Sequence, residues 1–238
     1  MREAILGAAV LLGACTSAGG EDGGARVAAQ RSFEVGAFDR ISLSGSQDVV
    51  VTVGGAASVR AEGDSEALDR LEIAAEGGQL RIGSRARTGW KLFGRRRGIT
   101  VHVTVPTLAG ASVGGSGDMR IDRVESERFA ASVAGSGDIH IGDLRAAEAD
   151  FSIAGSGAIR AAGAARRIRT SVAGSGDLDL ARLEAVDASV ALTGSGDVRV
   201  RASGTAAVEL RGSGDVAVAG PARCSVSKSG SGDVHCSG

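Results

Sequence analysis

The sequence predicts an all-β fold, a single-stranded parallel β-helix whose coils of 18–20 residues are each marked by a Gly-Ser-Gly-Asp turn. Three observations predict it. Gly-Ser-Gly recurs from Gly115, Gly135, Gly155, Gly174, Gly194, Gly212 and Gly230, in steps of 20, 20, 19, 20, 18 and 18 residues. Around each turn the apolar residues alternate with period two, which is the spacing of a strand with one buried face. The chain is 43% hydrophobic but only 3% aromatic, so its core must be built from Val, Ile, Leu and Ala. Such a thin core suits stacked sheets better than helix bundles.

Within each period the same pattern returns. After the turn come Met119/Ile121, Ile139/Ile141, Leu178/Leu180, Val198/Val200 and Val216/Val218. Before the next turn come Ala131/Val133, Phe151/Ile153, Val190/Leu192 and Val208/Leu210. Inward positions are therefore expected at residues such as Ile139, Ile141, Val190 and Leu192. Two or three short strands per period cannot bury a core alone, but stacking equivalent coils makes one continuous core, as in a solenoid. The stretches between strands, such as 145–149, are too short for the helices of an α/β repeat, and the period is too short for a propeller blade. The crossover preference of parallel strands makes a right-handed helix the expected hand.

The chain before the repeats reads in order. Residues 1–14 have the form of a signal peptide: Arg2, an apolar stretch from Ala4 to Leu12, then small residues. That stretch is too short to span a bilayer as a helix. Leu12-Gly13-Ala14-Cys15 resembles a bacterial lipobox, which makes Cys15 the expected lipidation site; the alternative is an ordinary signal peptide with an incidental Cys. Residues 15–32, rich in Gly and small residues, read as a flexible tether. Thr16 after the Cys favours an outer-membrane location in a Gram-negative host. Residues 33–238 then form one domain. Phe38 to Val53 reads as strands, Ser65 to Leu71 as a short helical turn, and Gln79 to Ile82 and Ile99 to Val105 as further strands, the last ended by Pro106. Gly45-Ser46-Gln47-Asp48 is a weaker relative of the repeated turn.

Certain of these segments carry a family resemblance. Phe38-Asp39-Arg40-Ile41-Ser42-Leu43, the run Ile99 to Leu108, and the repeated Gly-Ser-Gly-Asp together resemble the "putative auto-transporter adhesin head GIN domain" family, over about residues 33–236. The resemblance implies a right-handed β-helix in an exported, often lipid-anchored envelope protein. It brings no catalytic residues.

Candidate functional residues are few. In the turns, Asp118, Asp138, Asp177, Asp197, Asp215 and Asp233 follow Gly-Ser-Gly, while Ala158 interrupts the series. Glycine permits tight turns, and Asp is expected to bond nearby backbone N–H groups as an Asx-turn. A cation ladder is the competing use, but calcium-binding nonapeptide repeats need a second Asp-bearing turn per coil, so no metal is expected. From Gly77 to Gly117 there is no acidic residue, and in this stretch Arg85, Arg87, Lys91, Arg95, Arg96 and Arg97 surround Trp90 and Phe93. Lying between two strands, the segment is expected to project as a long hairpin loop. Cations beside aromatics suit anionic glycans or lipid headgroups, and the alternative is a solvated loop with Trp90 folded back on the solenoid.

Cys224 and Cys236 pair in an oxidising compartment or else sit as small buried apolar residues. The sequence holds no nucleophile elbow, no zinc-protease motif and no phosphate-binding loop. His102, His140 and His235 look scattered along strands. No cofactor and no nucleic-acid partner are expected. The expectation is a non-enzymatic, membrane-anchored envelope module of binding or adhesion type, with a structural spacer or, behind it, a polysaccharide-acting β-helix as the alternatives.

Overall fold

The computed structural model describes residues 28–85 and 98–237. It is a parallel β-solenoid. The regular part is five long strands, β9 (Met119–Gly135), β10 (Asp138–Gly155), β11 (Ala158–Gly174), β12 (Asp177–Gly194) and β13 (Val198–Gly212). Each spans most of one coil and bends at its corners, where the sequence had suggested separate short strands. Neighbouring coils pair in register along their length: Ile139 lies between Met119 and Ile159, and Phe151 between Ala131 and Thr170.

The alternation becomes columns. Met119, Ile139, Ile159, Leu178, Val198 and Val216 stack inward one above another. Ile139 and Ile141 are fully buried, and Val190 and Leu192 nearly so. Each such aliphatic side chain contributes about 1.5–3 kcal/mol on burial. Thr170 is the polar exception in the column of Phe151 and Val190, and its hydroxyl donates to the carbonyl of Ser189 at 3.4 Å.

Upstream the chain builds the same solenoid less regularly. β2 (Arg40–Gly45) and β3 (Asp48–Val53) form a coil against β8 (Gly110–Gly115) and β9. β6 (Gln79–Ser84) stacks on β2, and β7 (Thr100–Val105) on β3, making one further coil. Beyond it parallel pairing stops. β5 (Leu71–Glu76) runs antiparallel to β6, β4 (Ser58–Asp64) antiparallel to β7, and β1 (Ala28–Phe33) antiparallel to β4. The one helix, α1 (Ser65–Leu68), starts where the Asp64 side chain accepts the backbone N–H groups of Glu66 and Ala67.

At the other end the last strands are β14 (Val216–Ala219), β15 (Arg223–Gly230) and β16 (Val234–Ser237). β15 pairs with β13 and β16 with β14. Here the inward column of Ile153, Val172, Leu192 and Leu210 is continued by Lys228, whose ammonium lies 3.3 Å from Asp233. A charge in a core column blunts the last coil as a template for further pairing. Cys224 and Cys236 are joined by a disulfide, with Cα atoms 6.7 Å apart, so a covalent link ties β15 to β16 across the terminal coil.

Candidate functional site

The repeated turns form one corner of the solenoid, and their stacking explains the motif. At Gly194, φ is +136°, a conformation that side chains disfavour. At Gly196 the restriction comes from the neighbour: a Cβ there would lie 1.9 Å from the carbonyl oxygen of Gly176 one coil back. The turns therefore approach backbone to backbone.

The aspartates act between coils. Instead of closing local Asx-turns, the carboxylate of Asp118 accepts the backbone N–H of Asp138 at 3.1 Å, and Asp138 that of Ala158 at 2.9 Å. Asp177 accepts from Asp197, Asp197 from Asp215, and Asp215 from Asp233, at 3.0, 3.3 and 2.8 Å. The reason is spacing: a carboxylate at the corner reaches the equivalent N–H about 4.8 Å along the axis. Ala158 has no carboxylate, and the N–H of Asp177 turns to the carbonyl of Gly157 at 3.2 Å. That substitute suggests the size of each contact. Asp197→Ala is expected to lower unfolding free energy by about 1 kcal/mol, measured by urea denaturation.

Gln47 occupies the second-glycine position of the upstream turn, and the structure shows why a side chain fits. The sequence has no Gly-Ser-Gly between β6 and β7, and the Gln47 side-chain amide donates to Ser84 Oγ at 2.5 Å. The basic segment links β6 to β7. It leaves at Ser84 and Arg85 and returns at Gly98 and Ile99, whose carbonyl accepts the N–H of Asp48 at 2.9 Å. Its two ends therefore join strands that stack on consecutive strands of the neighbouring coil, β2 and β3. The expectation of a hairpin fails because β6 and β7 pair with β2 and β3, not with each other. Arg85 is described and lies 2.5 Å from Glu72 Oε1. Arg87, Trp90, Lys91, Arg95, Arg96 and Arg97 lie outside the described residues, as does Cys15.

The three histidines are not scattered. Register places Arg60, His102, Val50, Arg120, His140, Arg160, Asp179, Arg199, Ala217 and His235 in one outward column. It runs beside the aspartates, which partly neutralise it: Arg160 lies 3.4 Å from Asp138, and Arg199 3.6 Å from Asp197. His102 sits 3.2 Å from Glu62. Among the described residues no cluster of three or more His, Cys, Asp or Glu is arranged to hold a metal, and no helix is long and apolar enough to cross a membrane.

The stacked Gly-Ser-Gly-Asp turns and the parallel solenoid lie within a stretch that matches a known family. The family described as "Putative auto-transporter adhesin, head GIN domain" matches residues 37–222. The chain belongs to this family. Among solved structures, this GIN domain is similar to a "putative adhesin" from Bacteroides fragilis, with TM-score 0.82 and 21% identity over 89% of this chain and 98% of that one. It is also similar to a "putative lipid binding protein" from Parabacteroides distasonis, with TM-score 0.70 and 22% identity over 89% and 97% of the two chains. A further "putative adhesin", from Parabacteroides merdae, has TM-score 0.68 and 15% identity over 89% and 96%. At these identities the likeness is one of fold. No curated protein matches the sequence.

Proposed function

We propose that this GIN domain is a non-enzymatic binding module of the bacterial cell envelope, held at a membrane by a lipid on Cys15, and that its basic loop meets anionic glycans or lipid headgroups. The observation that supports the reading is where the segment's flanks lie. It connects β6 to β7, which stack on β2 and β3, so strands of the solenoid hold both of its ends. Glu72 occupies Arg85, while the sequence supplies five further cations and Trp90 between residues 86 and 97 and no acidic residue. Cations with an adjacent aromatic attract anionic surfaces and add apolar contact. The family's adhesin description and a relative of similar fold named for lipid binding agree with a binding role.

Two measurements test this. Arg95→Ser, Arg96→Ser and Arg97→Ser together should leave stability within about 0.5 kcal/mol per site. The triple variant should bind anionic liposomes or lipopolysaccharide more weakly than the parent, most visibly at low salt, where charges are least screened. Equal binding by parent and variant, or none by the parent, removes the loop's role and leaves a structural spacer. For the anchor, radiolabelled fatty acid should enter the intact chain and not Cys15→Ala; equal labelling of both rules it out.

A further inference from the structure

One coil departs from the repeat in three ways. The coil that begins at Gly155 has 19 residues before the next turn, carries Ala158 in place of Asp, and places Gly163 at φ +128°. A Cβ on Gly163 would lie 2.2 Å from the carbonyl oxygen of Leu144. The outward column reads Glu125, Arg145, Ala164, Glu184, Arg201, with a methyl group between two long charged side chains. Arg145 and Glu184 stand two strand spacings apart, about 9.6 Å.

Around Ala164 opens a groove of about 610 Å³. Ala146, Ala165 and Ala185 line it in register across three coils, with exposed Ala164, Arg166, Glu184 and Val186 beside them. Nearby, Glu148 pairs with both adjacent coils, 3.0 Å from Arg167 and 3.7 Å from Arg128. Arg145 is paired within its own coil, 3.2 Å from Asp143. Arg166 and Glu184 have neither an ion-pair nor a side-chain hydrogen-bond partner among the described residues. Val186, 47% exposed, is one of only two large aliphatic side chains left in solvent among them. Small apolar side chains, an exposed aliphatic side chain and two charges of opposite sign without partners among the described residues thus line one depression.

We propose that this groove binds a short segment of acidic saccharide. A sugar ring lays its C–H face on the alanines and against Val186. Its carboxylate takes the Arg166 guanidinium in a charge-assisted hydrogen bond, and its hydroxyls donate to Glu184. The site is separate from the basic loop and rests on the reading of the protein as a binding module, so the test must tell the two apart.

The probe is trigalacturonate, titrated calorimetrically at low salt into the full chain, with neutral galactotriose as its comparison. Ala164→Trp fills the notch, and Arg166→Ala removes the carboxylate's partner from an exposed position where folding is unaffected. Each is expected to weaken trigalacturonate binding about tenfold or more, and galactotriose should bind parent protein about tenfold more weakly than trigalacturonate. The Arg95→Ser/Arg96→Ser/Arg97→Ser variant should bind trigalacturonate like the parent. Failure of the parent to bind, equal affinity for the neutral sugar, or loss in the loop variant with Arg166→Ala unaffected would each overturn the groove. The last result would leave the loop reading standing.

Discussion

Gly196→Ala is expected to destabilise the protein by roughly 3 kcal/mol or more, although it adds a single methyl group. The added Cβ would meet the carbonyl oxygen of Gly176 at 1.9 Å, and both partners are backbone. No side-chain rotation can relieve such a contact; one turn must move away from its neighbour. That movement also stretches the hydrogen bond from the Asp197 N–H to Asp177, which is 3.0 Å in the native stack. Gly36→Ala is the control, since a Cβ there meets nothing within 4 Å. It should stay within about 0.5 kcal/mol of the parent. Urea denaturation followed by far-ultraviolet circular dichroism compares them. A Gly196→Ala midpoint equal to that of Gly36→Ala would mean that the turns do not stack as closely as described.

The expectations that held are those resting on local periodicity. Ile139, Ile141, Val190 and Leu192 face inward because alternation with period two is written along the chain and needs no knowledge of partners. The recurring glycines gave the coil length for the same reason. What was not legible depends on which coil lies beside which. Asp197 looks like a local turn-former in the sequence, but its carboxylate partner, the N–H of Asp215, is 18 residues away. The basic segment between two strands looked like a hairpin because nothing local says that β6 pairs with β2. The histidine column had a partial signal: Arg120, His140, Arg160, Arg199 and His235 all sit two residues after the fourth position of the turn motif. Reading the repeat as aligned rows would have grouped them. His102 would have escaped, since the sequence has no Gly-Ser-Gly between β6 and β7. The groove had a signal as well, in the 19-residue step and Ala158, but only inter-coil register shows that Ala164 falls between Arg145 and Glu184.

Ile141→Asp is expected to be the more damaging lesion, costing about 4 kcal/mol or more, because it leaves an unpaired carboxylate in an apolar column. Ile141 is fully buried, with Ile121 on one side and Ala161 on the other. Neither neighbour offers a hydrogen-bond donor from its side chain. In a solenoid the stability of each coil depends on its interfaces with the two adjacent coils, so a central lesion damages two interfaces at once. Val234→Asp places the same charge in an inward column of the last described strand. There it faces only Val216, and the native side chain is already partly exposed. Water can reach that carboxylate, and the rest of the solenoid can keep its packing while the end frays. The terminal variant should therefore retain the parent's main unfolding transition and lose protection only around β15 and β16 in amide hydrogen exchange. Ile141→Asp should shift the main transition itself or abolish folding. Equal shifts from the two variants would show that the coils unfold as a single unit with no distinction between centre and end.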